Sequence, residues 1–189
     1  DFLARLGVAT AAVGADRALL VVGEEAGDLP ALLDQGWKTV VPLPMAGALP
    51  PGVTAAGLKI QQLDNPHYWN TGYYQFYLLK SRRPAPDRLA RPVDEAFRGL
   101  VDNDLYFFEG PELKAFRVQE GAGLSAEWTS KEGTLAVLKS GDTRIVLCGV
   151  DPLALKEDEG RRKAWRIWSL VLANAGAGSR FGVRFAPPP

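Results

Sequence analysis

The sequence predicts an α/β domain with a mostly parallel sheet and an added antiparallel portion. Three observations carry that expectation. Ala18-Leu19-Leu20-Val21-Val22 is an unbroken apolar run, as suits a short strand buried on both faces. It is followed by a short helical pattern and a second apolar run, Lys38 to Leu43, which together make a βαβ pattern with a right-handed crossover. The second half of the chain then reads as a series of strands closed by one long helix.

Taken in order, Phe2, Leu3 and Leu6 form a short amphipathic helix closed by Gly7. The first buried strand, Ala18 to Val22, ends at Gly23 and is bounded by Asp16 on one side and by Glu24-Glu25-Ala26-Gly27 on the other. Asp28 stands as an N-cap with Pro30 in the first turn, Leu29, Leu32 and Leu33 share one side, and Gly36 stops the helix. Lys38 to Leu43 is the next strand. Met45 to Pro51 is rich in Gly, Ala and Pro and reads as a loop, and Gly57 to Leu63 as a strand. Pro66 to Tyr77 is densely aromatic. Ser81 to Pro92 mixes four arginines with three prolines as an exposed connection, and Val93 to Leu100 is a short helix or turn.

Leu113 to Val118 alternates apolar and polar with period two, and Gly121 and Gly123 break it. Ser125 to Thr129 and Leu135 to Leu138 are further strands, separated by a turn at Glu132-Gly133. Ser140-Gly141-Asp142 is a hairpin turn into Arg144 to Val150, a strongly apolar strand. Ala164, Trp168, Val171 and Leu172 recur at helical spacing, with Glu157-Asp158-Glu159 at the positive end of the helix dipole and Gly176 or Gly178 closing it. Phe181 to Phe185 is a final short edge strand.

Composition narrows function by exclusion. In 189 residues, 22 basic side chains balance 22 acidic ones, which leaves no basic footprint for nucleic acid. No run of about 20 apolar residues predicts a membrane span. A single Cys and a single His cannot supply the clusters of three or four ligands that zinc takes. Asp102-Asn103-Asp104 has hard oxygen ligands but lacks calcium-loop spacing, and reads as a solvated turn. Cys148 lies inside an apolar strand, where a free Cys packs as a small hydrophobe. There is no G-x-S-x-G elbow and no P-loop, and the three carboxylates of Glu24, Glu25 and Asp28 would repel a pyrophosphate. No metal or cofactor is expected. The start at Asp1 and the Pro187-Pro188-Pro189 ending give the chain the expected look of a piece of a longer protein.

Two groups remain as ligand-contact candidates. The first is the aromatic segment: His67, Tyr68, Trp69, Tyr73 and Tyr74. Tyr and Trp pair an apolar face with a polar tip, so they can stack on a sugar or fill an interface between domains. The competing reading makes Trp69, Tyr73 and Tyr77 the buried stripe of a helix, against which Gly72 argues. The second is Glu24 and Glu25, at the C-terminal end of a strand, where open α/β sheets place their sites. Adjacent carboxylates seldom meet the fixed separation that glycoside hydrolysis needs.

Three segments carry a family resemblance. Asp16 to Leu43 is similar to the opening strand-helix-strand of class I glutamine amidotransferase-like domains. The stretch DEAFRGLVDNDLYFF, Asp94 to Phe108, resembles part of the amidotransferase-like domains appended to glycoside hydrolases of family 2 and other β-galactosidase-like enzymes. TRIVLCGVDPLA followed by RRKAWRIWSLVLANAG resembles their closing strand, Asp-Pro and helix. The enzymatic amidotransferases place a Cys in a Gly-flanked elbow and follow it with His and Glu. Here Cys148 lies in a late strand and no His-x-Glu pair exists, so no catalytic residue carries over.

The resemblance implies a flavodoxin-like, three-layer sandwich formed as one domain over 1–189. Its implied role is that of a non-catalytic accessory module, structural or carbohydrate-contacting, in a larger glycan-degrading hydrolase whose hydrolysis belongs to a separate barrel domain. Its partners would be the other domains of that parent and a glycan, and its setting periplasmic or extracellular. The alternatives are a free-standing small-molecule enzyme working through Glu24 and Glu25, and a domain whose whole role is to form a homo-oligomer.

Overall fold

The computed structural model describes residues 3, 17–23, 29–44, 48–57, 94–100, 113–130, 133–152 and 158–177. Over these the protein is a mixed α/β structure with a five-stranded sheet as its centre. In chain order the elements are β1 (Leu19–Val22), α1 (Leu29–Leu33), β2 (Thr39–Pro42), β3 (Val53–Gly57), a 3-10 helix (Glu95–Phe97), β4 (Lys114–Val118), β5 (Ser125–Thr129), β6 (Leu135–Ser140), β7 (Thr143–Cys148) and α2 (Asp158–Asn174).

The central sheet runs β1-β2-β7-β6-β5, and β3 pairs with β4 in a separate two-stranded sheet. β1, β2 and β7 are parallel neighbours, with Leu20 beside Val40 and Val40 beside Ile145. β7, β6 and β5 are antiparallel neighbours. Among the described residues the sheet is therefore divided equally between parallel and antiparallel ladders, rather than mostly parallel. The reason lies in the links. A parallel neighbour needs a crossover, which the segment through α1 supplies between β1 and β2. The two-residue turn Gly141-Asp142 can only make β7 antiparallel to β6. Gly141 has φ +56 and, among the described residues, no residue other than Gly has positive φ, the pattern of a type II′ hairpin turn.

Alternation along the strands sorts side chains to two faces. Val41, Val137, Val146 and Cys148 pack with Ala164, Ile167, Trp168, Val171 and Leu172 of α2 and with Phe97 of the 3-10 helix. Val40, Ala136, Leu138, Ile145 and Leu147 pack with Trp37 and, from the two-stranded sheet, Val53 and Phe116. Leu32 and Leu33 of α1 lie against this second cluster. Covering on both faces explains why β7 is apolar from Ile145 to Cys148. Trp168, at the centre of the first cluster, donates its indole Nε1–H to the Val150 carbonyl at 2.8 Å.

The ends of α2 and α1 follow their glycines. Gly176 has φ +98, its N–H bonds the Ala173 carbonyl, and Ala177 N–H bonds the Leu172 carbonyl. That pair of bonds satisfies carbonyls the helix would otherwise leave open, so Gly176 is the stop. Gly36, φ +77, ends the turn after α1. Of the expected strand Gly57 to Leu63 only Gly57 is described, as the last residue of β3, and 58–63 lie outside the described residues; the strand Val53–Gly57 itself is not expected from the sequence. Val53-Thr54-Ala55-Ala56 carries little apolar signal of its own. It extends because each residue pairs in register with β4, from Val53 beside Val118 to Gly57 beside Lys114. β4 ends at Val118 as expected, but its burial departs from period two: Ala115 and Phe116 are both buried, while Arg117 and Val118 are both exposed. The expected N-terminal helix, except for Leu3, and the expected strand Phe181 to Phe185 lie outside the described residues.

Candidate functional site

The parallel strands end at Val22, Pro42 and Cys148 on one edge of the sheet. The chain leaving β2 reaches Ala48, Leu49 and Val53, which pack on the β3–β4 side. The chain leaving β7 reaches α2 on the opposite side. Neighbouring parallel strands whose continuations part to opposite faces open a crevice between their C-terminal ends, which is where α/β sheets hold ligands. At this edge Leu43-Pro44 continue β2 and Gly149-Val150-Asp151 continue β7. Leu43, Pro44, Gly149, Val150 and Pro152 are buried, and Asp151 is half-buried.

β7's continuation is held rigidly. Gly149 N–H donates to the Thr134 carbonyl at 2.7 Å, and Lys114 N–H donates to the Gly149 carbonyl at 2.8 Å. Leu113 and Val150 form one further antiparallel bridge. The backbone of Lys114 passes so close that a Cβ at residue 149 would overlap its carbonyl. Glycine is required here for space.

Cys148 sits immediately before this turn, fully buried in the cluster under α2. Burial pushes its thiol up from 9.0 to about 12, against a smaller opposing pull from a backbone hydrogen bond with Val150. At neutral pH it is a thiol packed as a hydrophobe, without the thiolate that nucleophilic or metal-binding chemistry uses.

A second group of charges lies at the other end of β7. Arg144 Nη2 donates to both carboxylate oxygens of Asp94, at 2.8 and 2.9 Å, and its Nε reaches Glu127 Oε2 at 3.3 Å. Asp94 also accepts from Ala96 N–H at 2.8 Å, as N-cap of the 3-10 helix. At the far end of that helix, Asn174 of α2 donates its side-chain amide to the Ala96 and Arg98 carbonyls, at 3.2 and 2.9 Å. β7, β5 and α2 together fix the segment 94–100. No sequence motif marks Arg144 and Asp94, which stand 50 positions apart. Glu127, the extra residue where the register shifts between Ala126 and Trp128, reaches Arg144.

The aromatic candidates His67, Tyr68, Trp69, Tyr73 and Tyr74 lie outside the described residues, as do Glu24, Glu25 and the Asp102-Asn103-Asp104 turn. Gly23, which precedes Glu24, follows directly on the C-terminal end of β1. Among the described residues no group of three or more His, Cys, Asp or Glu side chains is arranged to hold a metal ion. No helix among them is long and apolar enough to cross a membrane. Comparison with protein-family models, with curated proteins and with solved structures finds no match for this chain.

Proposed function

We propose that this chain is a flavodoxin-like, three-layer domain that serves as a non-catalytic accessory module of a larger glycan-degrading hydrolase. It works by contact with a neighbouring domain or a glycan through the aromatic segment His67, Tyr68, Trp69, Tyr73 and Tyr74. The observation that carries this reading is the position of Cys148. The one thiol in the chain is locked in the core beneath α2, with its ionisation pushed out of the neutral range, so it is not the nucleophile of an amidotransferase. Two further observations support it. Apolar clusters cover the central sheet from both sides, as a three-layer arrangement requires. β7 runs through Asp151-Pro152 toward a helix that packs back on the sheet, which is the order of the resembling domains' closing unit.

Affinity electrophoresis of the chain through gels containing soluble polysaccharides tests the contact role. The expected result is retardation by at least one glycan, with Trp69→Ala weakening it about tenfold or more, the equivalent of about 1.4 kcal/mol for a stacking aromatic. Retardation that Trp69→Ala leaves unchanged removes Trp69 as a contact. No retardation by any glycan, together with a mass that rises with concentration in light scattering, favours an oligomerising domain instead. Turnover of a small molecule that Glu25→Gln abolishes overturns the non-catalytic reading.

A further inference from the structure

We draw no further inference here: the strongest candidate, the side-chain cluster of Arg144, Asp94 and Glu127 where β7, the 3-10 helix and β5 meet, is accounted for by the bonds that join those elements, and nothing else described beside it points to a ligand.

Discussion

Cys148 and Gly149 are adjacent, and each is constrained by a different force. For Cys148 the force is desolvation. The buried thiol stays protonated to about pH 12, whereas in the unfolded chain it ionises near 9.0. Below 9.0 both states carry the proton, so this group leaves stability unchanged with pH. Above 9.0 the unfolded state binds fewer protons, so unfolding becomes easier by about 1.4 kcal/mol for each further pH unit, up to the folded value. Urea unfolding at pH 8 and pH 10.5 measures this. The wild type is expected to lose about 2 kcal/mol more than Cys148→Ala between the two, and equal losses would contradict the assignment. For Gly149 the force is steric. A methyl there meets the Lys114 carbonyl, which is itself fixed by the bonds joining residues 113–114 to 149–150. Gly149→Ala is expected to cost about 3 kcal/mol in urea unfolding.

At the scale of elements, α2 is held by burial on one side and by two polar anchors. Trp168 fills the cluster against β7 and places its N–H on the Val150 carbonyl, just beyond the strand. Trp168→Phe keeps most of the apolar surface but leaves that buried carbonyl without its donor. The expected loss is about 2 kcal/mol, measured by urea denaturation with far-UV circular dichroism. A loss within experimental error would mean that the carbonyl finds another donor. β5 shows what one extra residue does. The register shift seats Trp128 opposite Val137, whose side chain belongs to the α2 cluster. Without it, Trp128 would stand opposite Ala136, on the other face. There Trp128 meets Phe97 with ring centroids 5.3 Å apart and planes tilted by 41°. The sequence reading places a strand at Ser125 to Thr129, but it cannot show the bulge, because the shift exists only relative to β6.

For the molecule as a whole, two apolar clusters share a single sheet. Val146 and Ile145 are consecutive residues of β7 and belong to different clusters, so neither cluster can be lost while the other keeps its floor. Unfolding of the described structure is therefore expected to be one cooperative transition. Val146→Ala and Leu138→Ala, one in each cluster, should each lower the same urea midpoint. Near-UV and far-UV circular dichroism should stay coincident in both variants, and separate transitions would show that the clusters fold independently.

Apolar patterns and glycines sufficed for the sequence to place β1, α1, β2, β4, β5, β6, β7 and α2, because those elements are specified by patterns only a few residues long. Leu19 to Val22 needs no partner to read as a buried strand, and a glycine, Gly176 or Gly178, marks the end of α2, of which the structure selects Gly176. The pairing was decided in three dimensions. Which strands lie side by side, the equal division between parallel and antiparallel ladders, the start of β3 at Val53, and the meeting of Arg144 with Asp94 and Glu127 all depend on residues far apart in the chain. Each is a relation between two surfaces. A local pattern records which side of a segment seeks cover, while the identity of the cover is set only when all the segments compete for it at once.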